Sequence, residues 1–120
     1  MAETVFDTPP DPGRRVRIYI GESDHKGPQP LFAAIVESAR RAGLGGATVF
    51  KAIEGYGAHS VVHAAHIVDL SADLPIVIEI IDSAVAIDAF LPKLRDLVHD
   101  GLITIEDVTV IHRSSKKPAR

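Results

Sequence analysis

Two segments with apolar residues at helical spacing, each placed between short β-branched segments, constrain the fold of this chain more than any other feature. One helix is predicted from Pro30 to about Ala42, and another from Ala84, with Ser83 as its N-cap, to a stop at Gly101. The strands are predicted, in chain order, at 14–20, 47–53, 74–82 and 102–112. The order βαββαβ predicts an α+β, ferredoxin-like sandwich, with an antiparallel four-stranded sheet and two helices on one face.

The predicted strands differ in their patterning. Strand one alternates, with Val16, Ile18 and Ile20 on one face, which is typical of a half-buried strand. The third strand is a dense β-branched run, so we expect it to lie mid-sheet and to be buried on both faces. Glu79 within that run needs a partner, so we expect it either to face a cleft between subunits or to pair with a strand arginine such as Arg15 or Arg17. The last strand is expected to be interrupted near 106–107.

The chain of 120 residues has the length of one domain. We predict a flexible N-terminal arm over 1–13, which holds three prolines among small and acidic residues, a folded domain over 14–113, and a flexible basic tail over 114–120.

Composition excludes several classes of function. The absence of cysteine excludes disulfides, thiolate metal sites and cysteine nucleophiles. A net charge of −3 argues against a nucleic-acid partner. No apolar run approaches the ~20 residues of a membrane span, and the acidic start is unlike a signal peptide. We therefore expect a soluble cytoplasmic protein without membrane insertion.

The predicted topology brings loops that are far apart in sequence to one end of the sheet. These are the loop after strand one, the loop after strand two and the loop before strand four. Their glycines allow backbone amides to approach a ligand, and their carboxylates suit an amine, hydroxyl or guanidinium group. The candidate ligand-binding residues are Glu22, Lys26, Glu54, Gly55, Tyr56, Gly57 and Gly101.

Other chemistry has weaker support. His59, His63 and His66 would share a face if their segment were helical, and could then hold a divalent metal, although Val61 and Val62 disfavour a helix. Solvated loop histidines are the simpler interpretation. No acid/base pair or Gly-x-Ser-x-Gly motif is present, so no catalytic residue and no cofactor is predicted.

Several segments, in order, resemble the PII-like superfamily and, within it, the bacterial domain of unknown function one-ninety. The matching segments are 17–22, 30–31, 42–44, 46–49, 53–57, 74–75, 79–80 and 101–103, the last leading to Val108. The resemblance implies a homotrimer with small-molecule sites in the clefts between subunits and a T-loop after strand two. At the place of the glycine-rich, ATP-binding stretch of PII proteins, this chain has His99–Thr104.

We therefore expect a trimeric, non-enzymatic regulator that senses a small metabolite, either a nucleotide, such as an adenine nucleotide, or a small anion. It would respond through the loop after strand two, which could also contact a protein partner. The alternatives are a divalent-metal-binding trimer that uses the loop histidines, and a small ferredoxin-like enzyme.

Overall fold

The computed structural model describes residues 11–57 and 73–113. The elements are β1 (Asp11–Gly21), β2 (His25–Lys26), β3 (Gln29–Pro30), α1 (Leu31–Arg41), β4 (Ala47–Lys51), β5 (Pro75–Ser83), α2 (Ala84–Leu97) and β6 (Leu102–Val110). The main sheet has the order β4-β5-β1-β6, with every neighbouring pair antiparallel, and β2 pairs with β3 in a small hairpin. The predicted ferredoxin-like α+β fold is confirmed.

The core lies on one face of the sheet. Register places Val16, Ile18 and Ile20 of β1 opposite Ile80, Ile78 and Ile76 of β5, respectively. All six side chains are buried, because both helices pack on this face. The alternation read from strand one is confirmed.

Local sequence sets the helix ends. The Ser83 hydroxyl accepts a hydrogen bond from the Ala86 amide (3.1 Å), so Ser83 is the N-cap predicted for α2. Beyond α1, Gly43 adopts φ +79°, and the Leu44 amide donates to the Ala39 carbonyl (3.1 Å). This is a Schellman cap, which needs a residue that tolerates the left-handed region.

Two expectations about the strands were wrong. β5 is central, but only one of its faces is buried: Val77 and Glu79 are half-buried and Ile81 is 42% exposed, because both helices lie on the other face. β6 is continuous through Glu106 and Asp107, whose carboxylates pair with arginines of β1.

Other outcomes concern the charged residues and the chain ends. The Arg17 Nε donates to Glu79 Oε2 (3.0 Å), which confirms the predicted partner of Glu79. β1 begins at Asp11, three residues before the predicted start, and pairs with β6 as far as Val110. Residues 1–10, 58–72 and 114–120 lie outside the described residues, so the predicted arm, tail and domain boundaries stay predictions. Within the described ranges, neither helix has the length and apolar character of a bilayer-crossing segment.

Candidate ligand-binding site

The sheet register brings the predicted loops together at one end. The residue pairs nearest that end are Gly21 with Pro75, Lys51 with Ile76, and Tyr19 with Leu102. β1 and β4 therefore finish at the same edge from which β5 and β6 start. We call this edge the loop end; it comprises residues 21–26, 51–57, 73–75 and 99–102.

At the loop end, the turn after β1 holds the chain that enters β5. The Glu22 amide donates to the Leu74 carbonyl (2.9 Å), and the Ser23 amide donates to Asp73 Oδ1 (2.8 Å). The Ala52 amide, just after β4, donates to the Pro75 carbonyl (2.9 Å). The start and the end of the β4–β5 connection are thus hydrogen-bonded to the same small region.

Asp24 fixes the conformation of the turn itself. Its carboxylate accepts a hydrogen bond from the Gly21 amide (2.9 Å), and its carbonyl accepts one from the Leu31 amide (2.7 Å) at the start of α1. These hydrogen bonds hold the turn to both β1 and α1, so the backbone that carries the neighbouring side chains is fixed in position.

An ion pair crosses the loop end. Lys51 Nζ lies 2.7 Å from Glu22 Oε2, with side-chain exposures of 55% and 35%. The Lys51 ammonium group is the last functional group of β4, whereas the Glu22 carboxylate belongs to the turn after β1. The pair therefore links two strands that are separated by β5.

Two of the predicted site glycines are required by the backbone. Gly55 has φ +151°, and a Cβ there would lie 3.1 Å from Pro75 Cγ. Gly101 has φ +156°, and a Cβ there would lie 2.7 Å from the Tyr19 carbonyl oxygen. Both positions disfavour residues with a side chain. Gly57 has open space at its Cβ position and lies outside the positive-φ region.

The remaining predicted site residues are placed less closely together. Glu54 and Tyr56 have exposed side chains in the segment after β4. Lys26 is exposed in the β2–β3 hairpin, which packs against α1, and it has no polar contact with the other predicted site residues in the described ranges. Glu22 thus contacts the chain just before β5, Gly55 lies against Pro75 and Gly101 lies against Tyr19, whereas Lys26 lies in the hairpin beside α1.

Acidic side chains outnumber basic ones at the loop end. The acidic residues are Glu22, Asp24, Glu54, Asp73 and Asp100, and the lysines are Lys26 and Lys51. An anionic ligand would therefore depend on the two lysines and on backbone amides. Three or more potential metal-binding side chains do not cluster anywhere in the described residues, and His59, His63 and His66 lie outside them.

Sequence reasoning missed Lys51 and Asp73. Both positions were available from the predicted topology, since Lys51 lies near the end of strand two and Asp73 just before strand three. Lys51 falls within a predicted strand, and Asp73 ends a long segment without clear periodicity, so neither belongs to the short loops that carry the predicted site. The signal that could have found Lys51 and Asp73 is that both lie within two residues of a predicted strand end.

The opposite end of the sheet has a different character. An open cavity of about 690 Å³ lies beside the end of α1 and is lined by residues including Arg41 and Gly45. Next to it, buried Asp82 accepts hydrogen bonds from the Gly45 amide (2.7 Å), the Ser83 amide (2.7 Å) and Arg113 (3.0 Å). Burial raises the pKa of Asp82, but these donors outweigh it and lower the pKa below 3.8. Asp82 thus has the contacts of a structural anchor.

The chain is similar to proteins of one family. The model of DUF190, described as Uncharacterized ACR, COG1993, matches residues 13–110. A UPF0166 protein of Aquifex aeolicus is 40% identical over 97 residues, which are 81% of this chain and 91% of that protein. A UPF0166 protein of Methanocaldococcus jannaschii is 38% identical over 96 residues, covering 79% of this chain and 88% of that protein.

Solved structures share the fold. A candidate PII-like signaling protein from Thermus thermophilus has a TM-score of 0.60 at 21% identity, covering 85% of this chain and 92% of that one. CPII from Thiomonas intermedia, solved with ADP and bicarbonate, has a TM-score of 0.53 at 24% identity and covers 86% and 92%. At these identities the likeness establishes the fold alone.

Proposed function

Since the chain belongs to the DUF190 family and has a PII-like fold, we propose that it is a PII-like regulatory protein and not an enzyme. It binds a small metabolite at the loop end. The observation that carries this proposal is the convergence there of three loops, two of which hold a glycine with positive φ, Gly55 and Gly101. An adenine nucleotide or a small anion is the proposed ligand class, because CPII was solved with ADP and bicarbonate.

We further propose that the protein is a homotrimer that assembles through the sheet face opposite the helices, with the ligand sites in the clefts between subunits. We call this the open sheet face. Its side chains, one strand after another, are Thr48, Phe50, Val77, Glu79, Ile81, Arg15, Arg17, Tyr19, Leu102, Thr104 and Glu106. Several are large, apolar and exposed, which is typical of an interaction surface.

The charges of the open sheet face favour a second copy as its partner. Arg17 pairs with Glu79 (3.0 Å) and Arg15 with Glu106 (2.6 Å), so the face has no net charge that would select an acidic or basic partner. The Arg15 Nε is buried and has no hydrogen-bond partner among the described residues.

Ligand binding is proposed to act on the connection after β4, and through it on a protein partner. A ligand shifts a conformational equilibrium only by the difference between its affinities for the two states. What supports the proposal is position: Ala52 and Pro75, which start and end the connection, lie at the loop end, so a ligand bound there would lie beside the connection.

Ligand binding and stoichiometry test the proposal. Thermal shift with nucleotides, anions and divalent metals, followed by calorimetry, should show selective binding of ADP, bicarbonate or a related anion. Gly55→Val should impair binding, because valine tolerates φ +151° poorly, and Glu54→Gln should weaken a ligand that carries a donor group. Gly46→Ala, at the opposite end, is the control. If Gly46→Ala alone loses binding, the ligand binds at the opposite end of the sheet and the proposed site is wrong.

A further inference from the structure

Lys51 makes an ion pair that the pairing of its strand does not require. It is the last residue of the edge strand β4, and register places it beside Ile76 and Ile20, on the face that carries the helices. Glu22 follows Ile20 by two residues and so lies on the same face, one residue beyond the start of β5. The ammonium group therefore reaches past β5 to the turn after β1, where Glu22 is its ion-pair partner.

The Glu22 carboxylate is presented from a fixed backbone. The Glu22 amide is bound to the Leu74 carbonyl (2.9 Å), and the turn is held by the Asp24 carboxylate at Gly21 (2.9 Å). The side chain itself retains 35% exposure, and that of Lys51 retains 55%. The backbone of Glu22 is thus fixed, while the charged groups of Glu22 and Lys51 remain accessible to solutes.

The energy of such a pair is small. Exposed ion pairs contribute about 0.2–1 kcal/mol, because water screens the charges and two long side chains lose freedom. Because the pair is this weak, a phosphate or carboxylate group of a ligand can replace Glu22 at the Lys51 ammonium. Carboxylates are in excess at the loop end, and Lys51 is one of the two lysines there that can receive such a group.

The start of α1 adds a second favourable feature. The helix begins at the loop end, its N-cap Pro30 offers no side-chain acceptor, and its first turn contains no acidic residue. The first amide of α1, that of Leu31, donates to the Asp24 carbonyl (2.7 Å), but the positive end of the helix dipole still favours negative charge nearby. The local field of the backbone there opposes that of the acidic side chains.

From these observations we propose that Lys51 binds the anionic group of the ligand, and that Glu22 occupies the Lys51 ammonium when the site is empty. Glu22 is thus an intramolecular competitor of the ligand. This inference rests on the proposed function, since it names the part of the ligand that the loop end recognises: a phosphate or carboxylate group. Binding of that group breaks the side-chain link between the turn after β1 and the end of β4, while the backbone hydrogen bonds of both remain.

Calorimetry at low ionic strength with ADP, bicarbonate and inorganic phosphate as probes tests the inference. Glu22→Gln should tighten binding of the anion by up to about fivefold, which is the worth of the lost competitor. Lys51→Gln should weaken it by about tenfold or more. Circular dichroism and the melting temperature should show that both variants keep the fold.

The matched controls are Glu37→Gln and Arg41→Gln. These residues form an exposed ion pair on α1 (3.2 Å), and Arg41 lies at the end of the helix remote from the site. Both controls should bind the probes like the wild type. Wild-type binding that Lys51→Gln leaves unchanged would overturn this inference and leave the proposed function standing. If the wild type binds none of the three probes, the proposed anion recognition fails together with this inference.

Discussion

Individual residues at the two ends of the sheet do different work. At the end remote from the site, the Asp82 carboxylate joins the turn after α1, the start of α2 and Arg113, which follows β6. Arg113 is the last residue of the predicted folded domain, and its guanidinium group is held by this carboxylate. A buried acceptor with several donors is costly to remove, because each donor loses its partner.

Asp82→Asn should lower the free energy of unfolding at neutral pH by about 1–3 kcal/mol. The folded-state pKa of Asp82 lies below its ordinary value of 3.8. Its contribution is therefore fully present above that value and is lost as the pH falls through the folded-state pKa. Urea denaturation between pH 7 and pH 3 should show the wild-type and variant stabilities converging at the acidic end. A constant difference across this range would contradict the assignment.

Gly101→Ala should destabilise the fold by about 1–3 kcal/mol, since the residue has φ +156° and a Cβ would lie 2.7 Å from a backbone oxygen of β1. Gly46→Ala is the control, because its Cβ position has no neighbour within 4 Å. Thermal unfolding of both variants measures the difference. Equal melting temperatures would show that the strand can shift to accept the methyl group.

At the scale of elements, the order and type of the helices and main strands were predictable, because the periodic segments are long and the capping residues lie close to the helix ends they cap. Ser83 and Gly43 act within a few residues of where they stand. The burial of β5 was not predictable from its composition. Which of its faces is covered depends on where both helices pack, and an apolar open sheet face resembles a buried one in sequence.

The continuity of β6 and the role of Lys51 were not predicted, for a related reason. Glu106 and Asp107 disfavour a strand by propensity, but arginines on the neighbouring strand stabilise them there. Lys51 acquires its partner from a turn 29 positions earlier in the chain. Such cross-strand pairs follow only from register, which a single sequence does not fix.

Ser83→Ala tests the cap that positions α2. Removal of the hydroxyl leaves the Ala86 amide without its acceptor, and the free energy of unfolding should fall by about 1 kcal/mol. Ser38→Ala, inside α1, should leave stability unchanged or raise it slightly, because alanine has the higher helix propensity. Chemical denaturation would compare the two. A cost at Ser38 equal to that at Ser83 would contradict a capping role.

For the whole molecule, the open sheet face decides the assembly. Phe50 lies on it and is 49% exposed, whereas Val85 is 80% exposed on α2, in the helix layer. Phe50→Lys should shift the proposed trimer towards monomer, because a desolvated ammonium group is costly at an interface. Val85→Lys should retain the wild-type mass. Light scattering at micromolar concentration measures both. A trimer that survives Phe50→Lys would move the interface elsewhere.

The hydrogen bond between the Ala52 amide and the Pro75 carbonyl has an evolutionary consequence. The β4–β5 connection leaves the sheet at Ala52 and re-enters it beside that residue, at Pro75. The pairing of β4 with β5 is therefore independent of what the connection contains. The entropy of closing a flexible loop grows only logarithmically with length, by about 0.6 kcal/mol for each doubling. Insertions, deletions and wholesale replacement within the connection are therefore inexpensive for the fold. Descendants of one ancestral domain could exchange this segment, and with it their downstream target, while they inherit the same ligand-binding scaffold.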